Sequence, residues 1–198
     1  MKNRLFLAVA VVMMAFVVSS CGKMPQESID AAKAAVVAAK TAQADVYMAP
    51  EYKALEDSLN SVIQGIEAEN SNFLKDFDAL KAKLDTLTVQ AERVAQAVPA
   101  KKEAVKAEAE AMIATVKNDL ETTKALLKKA PKGKEGKAAL EQMTNELNVI
   151  AASVSEIETA LAGDVNYAEA LDKLNAAQKS VTDINTELTE AIAKKNRK

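Results

Sequence analysis

From Tyr52 to Val98 one seam recurs at steps of 3 and 4: Tyr52, Leu55, Leu59, Val62, Ile66, Glu69, Phe73, Phe77, Leu80, Leu84, Leu87, Ala91, Val94 and Val98. Such steps put every member on one side of an α-helix, whereas a half-buried strand would alternate with a period of two. One added residue enters near "ENSNF" (Glu69 to Phe73), beside the one polar member, Glu69. A looser seam follows Pro99: Val105, Ala109, Met112, Val116, Leu120, Thr123 and Leu127. A strict one runs Leu140, Met143, Leu147, Ile150, Val154, Ile157 and Leu161, and the last Ala170, Leu174, Ala177, Val181, Ile184, Leu188 and Ala191. Upstream, "ESIDAAKAAVVAAKTAQADVYM" (Glu27 to Met48) sets Ile29, Ala32, Val36, Ala39 and Val46 on one face. With 5 Gly, 4 Pro and 4% aromatic residues, the chain has few breakers and few large core anchors. It is therefore predicted to be all-α, with a narrow core along helix seams.

The breaks set the domain plan. Pro50 suits the first turn of a new helix. "AVPAKK" around Pro99 has no Gly or Asn to turn with, and the heptad phase survives it, so a bend is expected there rather than a reversal. "APKGKEGK" (Ala130 to Lys137) breaks the helix with one Pro and two Gly. "AGDVNYAE" (Ala162 to Glu169) breaks it again, with Gly163 as a C-terminal cap and Asn166 with Glu169 as a capping box. The expected helices are about 27–48, 51–98, 100–129, 137–162 and 166–195, forming a bundle domain over 27–195 with a basic tail at 196–198. Hairpins folded about residues 133–134 and 49–50 would put residues 27, 72 and 195 at one level. The predicted fold is an elongated antiparallel helical bundle, a coiled-coil-like rod.

Charge favours neighbours within that rod. Residues 101–137 carry 10 Lys and 6 acids, whereas residues 138–193 carry 2 Lys and 10 acids. Exposed pairs contribute only ~0.2–1 kcal/mol each, so this sets pairing more than stability. A faint internal repeat is also present. "KALEDSLN" (Lys53 to Asn60) resembles "AALEQMTN" (Ala138 to Asn145), and "FDALKAKL" (Phe77 to Leu84) resembles "YAEALDKL" (Tyr167 to Leu174).

Residues 1–20 read as a signal peptide. Lys2 and Arg4 precede the apolar run Leu5 to Val18, and Ser19 and Ser20 follow it. As a helix that run would span about 21 Å, short of the ~30 Å hydrocarbon core. The next residue is Cys21, the one cysteine of the chain. It cannot form an internal disulfide or a paired-cysteine zinc site.

"Val18-Ser19-Ser20-Cys21-Gly22" resembles a bacterial lipobox, with Val18 where Leu is commonest. That resemblance implies lipidation of Cys21 and an acyl anchor in the bilayer, with residues 21–26 as lipidated terminus and short linker. In enterobacterial lipoproteins an Asp after the Cys retains the chain at the inner membrane. Gly22 stands there here, which favours the outer membrane, facing periplasm or cell surface. "YMAPEYKALEDSL" (Tyr47 to Leu59) resembles small helical envelope lipoproteins of unknown function. The ending "AKKNRK" resembles the murein lipoprotein family, with Asn196 where that family has Tyr; the likeness implies attachment of Lys198 to peptidoglycan.

Chemistry is sparse. No His is present, which removes the commonest general base near neutral pH, and no Gly-rich phosphate loop follows a strand. Neither an enzyme activity nor a cofactor nor a metal site is expected. Without Lys2 and Arg4, 24 basic residues face 28 acidic ones, and no nucleic-acid partner is expected. The cluster Lys128, Lys129, Lys132, Lys134 and Lys137 is a candidate contact for an anionic surface within a Debye length of ~8 Å. The expected function is a non-enzymatic structural or scaffolding lipoprotein of the envelope, touching peptidoglycan or an envelope protein, with self-association possible. The alternative is a surface-exposed binding or adhesion module.

Overall fold

The structure, a computed structural model, describes residues 23–131, 136–163 and 165–196. They form six helices: α1 (Gln26–Thr41), α2 (Ala44–Tyr47), α3 (Ala49–Asn70), α4 (Asp78–Lys129), α5 (Gly136–Leu161) and α6 (Tyr167–Asn196). The fold is all-α, as the seams predict.

The organising element is α4, 52 residues long with Pro99 inside it. At 1.5 Å per residue it runs about 78 Å. Two corrections to the expected boundaries meet here. Residues 100–129 are not a separate helix, because Pro99 removes one amide donor without stopping a chain whose apolar stripe continues in phase. Nor is 51–98 continuous: α3 ends at Asn70 and the chain turns over residues 71–77. The added residue near "ENSNF" is that turn. Phe73 is 99% exposed rather than in the seam, and Phe77 is buried in its place. Glu69 hydrogen-bonds within the turn instead of joining the core.

The expected 27–48 helix is also divided. Gln43 adopts left-handed φ 71°, ψ 31° between α1 and the single turn α2. Val46 consequently leaves the buried face on which Ile29, Ala32, Val36 and Ala39 remain. Pro50 sits in the first turn of α3, where its missing N–H costs nothing.

The directions of the helices follow from their contacts. α3 runs antiparallel to the start of α4: Gly65 lies so close to Leu80 that an added Cβ would stand 2.9 Å from its Cδ2. α1 packs on α4 and α3. Its far end meets the middle of α4, where Lys102 Nζ donates to Gln43 Oε1 at 3.4 Å. α1 and α4 are therefore parallel. In the second half, Lys117 of α4 pairs with Glu158 of α5 at 2.6 Å, as an antiparallel hairpin requires. α6 turns back again and runs parallel to α4. Gln178 Nε2 donates to Asp119 Oδ2 at 2.6 Å, and Asn185 Nδ2 donates to Thr123 Oγ1 at 3.0 Å.

The molecule is thus two three-helix bundles end to end on one shared helix: α1 and α3 flank the first half of α4, α5 and α6 the second. This corrects the expected register. Residues 27 and 72 share one end, but residue 195 lies at the other, because the chain reverses between α5 and α6. Burial explains the preference. Three helices around a point cover a wider stripe than two, and neighbouring pairs such as Leu87–Thr88 and Ala35–Val36 are both buried. The faint repeat falls on equivalent places. Its first pair lies in α3 and α5, and its second opens α4 and α6 with the buried aromatics Phe77 and Tyr167.

Candidate functional site

The two halves meet around the middle of α4. Tyr47 and Tyr167 are both buried, and the Tyr47 hydroxyl accepts the Tyr167 N–H at 3.2 Å. That amide belongs to the first residue of α6, one of the donors a helix start leaves unpaired. Tyr167 OH donates in turn to the Gly163 carbonyl at 3.0 Å. Lys102 Nζ stands 5.9 Å and 5.6 Å from the centroids of the Tyr47 and Tyr167 rings, and Lys106 Nζ 5.5 Å from that of Tyr167. Nearby, Asn166 Oδ1 accepts the Glu169 N–H at 3.1 Å, one half of the expected capping box. The Glu169 carboxylate does not complete it. It pairs with Lys173 at 2.7 Å, which lowers its pKa from the ordinary value. This junction is a structural joint: it ties the two bundles together.

The sequence-derived lysine cluster lies at the far end of the rod. Lys128 and Lys129 form the exposed last turn of α4, and Lys137 is exposed in the first turn of α5. The structure adds two that the sequence reading missed. Lys194 and Lys195, exposed in the last turn of α6, arrive at the same end because α6 runs parallel to α4. The C-termini of α4 and α6 both point here, and the lysines offset the negative ends of their dipoles. Lys132 and Lys134 lie outside the described residues, as do Cys21, the signal segment 1–20 and Lys198.

An open groove of about 850 Å³ runs between α3 and α4, lined among others by Ser58, Ser61, Gly65, Lys83, Thr86 and Gln90. Its walls are mainly apolar, Val62, Leu80, Ala82 and Leu87 among them, and Asp57 is the one carboxylate among the described residues that lines it. Among the described residues, no group of three or more Cys, Asp or Glu side chains could together hold a metal ion. No described helix is long and apolar enough to cross a membrane. What the arrangement offers is a pair of ends about 78 Å apart. The chain enters at one and a cationic surface stands at the other. Comparison with protein-family models, with curated proteins and with solved structures gives no match.

Proposed function

We propose that this chain is a lipid-anchored, non-enzymatic spacer of the cell envelope, held in the outer membrane through acylated Cys21. In this reading it presents the lysine end of its rod to an anionic polymer of the wall or an acidic envelope protein. The observation that carries it is the separation of the two ends. α1 begins near the start of α4, whereas Lys128, Lys129, Lys137, Lys194 and Lys195 gather at its other end. A compact domain of this chain length would not hold a charged surface at that distance from the bilayer. Charge supports the same division of labour. The chain is acidic overall, at −2 with the leader included, so the lysine end is a local reversal of sign.

The test is binding of the processed chain to purified cell envelope across salt. Replacing Lys128, Lys129, Lys137, Lys194 and Lys195 by Gln should leave helicity intact and remove the salt-sensitive part of binding. Equal binding by parent and variant at low and high salt would overturn the reading. Trypsin added to intact cells separates it from an outward-facing adhesion module, because only a displayed lysine end would be cut.

A further inference from the structure

We propose that Phe73 and Leu74 form a membrane-inserting tip that seats the anchored end of the rod in zwitterionic lipid and holds the rod off the bilayer plane. The inference deepens the anchor reading and rests on it.

Phe73 and Leu74 are 99% and 84% exposed, side by side at the crest of the turn between α3 and α4. Their exposure is built rather than incidental. One carboxylate braces both sides of the turn: Glu69 Oε2 accepts from Asn72 Nδ2 at 2.7 Å, and Glu69 Oε1 accepts the Asp76 N–H at 2.8 Å. Lys75 Nζ donates to Asn70 Oδ1 at 2.8 Å. Below the crest Phe77 is buried, 4% exposed. The same short turn thus directs one aromatic ring into the core and the other out, and its hydrogen bonds keep Phe73 from folding back.

The tip lies where the chain enters. Gln43 touches Lys102, so the start of α1 stands about 26 Å back along the rod and the start of α4 about 36 Å back. Gln26 therefore sits about 10 Å short of the α4 end, and five further residues to Cys21 can span up to about 17 Å. An anchor at Cys21 and the crest at Phe73 can reach one bilayer surface together. Charge selects the lipid. Glu67, Glu69, Asp76 and Asp78 flank the crest in the chain, against Lys75 in the turn and Lys23 before α1. Anionic headgroups are disfavoured there, and the gain comes from apolar burial, which salt does not screen.

The chain contains no Trp and one Cys, which makes the experiment direct. The processed chain, residues 21–198, holds the entire buried core from Ile29 to Leu188. Carrying Phe73→Trp, it is coupled through Cys21 to maleimide lipid in phosphatidylcholine–phosphatidylethanolamine vesicles. Emission from the introduced indole should move to shorter wavelength, be quenched by lipids brominated on their acyl chains, and stay unchanged on adding salt. Val149→Trp, exposed on α5 in the far half, should do none of this. In the chain without coupling, Phe73→Ser with Leu74→Ser should lower co-sedimentation with the same vesicles at least about tenfold. Indole emission from the Phe73→Trp chain that stays water-like and unquenched on the vesicle overturns the proposal. So does a blue shift without lipid that grows with protein concentration, which would make a second copy the occupant. The mass of the chain extracted from cells reads acylation separately: unmodified Cys21 there refutes the anchor reading, while the coupled vesicle still decides the tip.

Discussion

Tyr52 shows how much one seam residue carries. It is 7% exposed on α3, and its hydroxyl donates to Glu56 Oε1 at 2.9 Å. Burial first, then the Glu56 hydrogen bond and the Glu56 and Asp45 charges, pushes its pKa up to about 12. Unfolded, the phenol ionises near pH 10, so between about 10 and 12 the unfolded chain releases a proton that the folded chain keeps. The stability this group contributes is whole below about pH 10 and is lost as the pH rises through about 12. The urea midpoint of the parent should therefore fall more between pH 8 and pH 11 than that of Tyr52→Phe. An equal fall would show that the phenol is not shielded. Gln43 is the other telling residue. Nothing in "TAQAD" marks it as a turn, yet it carries the one positive φ among the described non-glycine residues. The reversal there is imposed by docking of α1 and α3 on α4, not by local preference.

At the level of the element, α4 settles the question Pro99 raises. The proline faces solvent inside a continuous helix, so it costs a hydrogen bond to the Ala95 carbonyl and contributes no packing. Pro99→Ala should stabilise the protein by about 1–3 kcal/mol in chemical denaturation. A loss of stability would mean that the packing of the halves depends on the proline. Spin labels at Gln90 and Lys106 should read about 24 Å, the rise of 16 residues of one helix, rather than the short distance of an antiparallel pair. Polar pairs fix how α6 lies on α4. Thr123 is fully buried and is satisfied by Asn185, so a slip of one turn would strand it without a partner.

Across the whole molecule, the hydrogen bond that joins the halves without α4, among the described residues, is that of the Tyr47–Tyr167 joint. Tyr47→Phe removes the acceptor of a buried amide and should cost about 1–3 kcal/mol. It should leave the small-angle scattering profile, with its maximum dimension near about 80 Å, unchanged. Full stability in that variant would mean the Tyr167 amide finds water instead. A compact scattering profile in the parent would contradict the end-to-end arrangement.

That the chain is helical, and which residues form most of its core, was legible in the order of the amino acids, although Tyr47, Ile113 and Tyr167 are buried outside the predicted seams. Leu84, Leu147, Leu174, Val181 and Leu188 lie in the predicted seams and are at most 1% exposed. That information is local: a period of 3 and 4 encodes which face of a helix is apolar. The break at Asn166, where α6 begins, was legible from its capping residues. What the periodicity could not carry was which helix lies beside which, and in what direction. Seams of similar width pair with one another in many ways, and a break such as "AGDVNYAE" reads alike whether the chain runs on or turns back. The adjacent buried pairs Leu87–Thr88 and Ala35–Val36 were the available hint that α4 and α1 each face two neighbours. It took the packed fold to bring α6 back alongside α4, which moves Lys194 and Lys195 to the far end. Packing likewise turns the extra residue at "ENSNF" into a reversal, which takes Phe73 out of the core and sets it at the tip. Both outcomes follow from the same cause: burying three seams together covers more apolar surface than pairing them two by two.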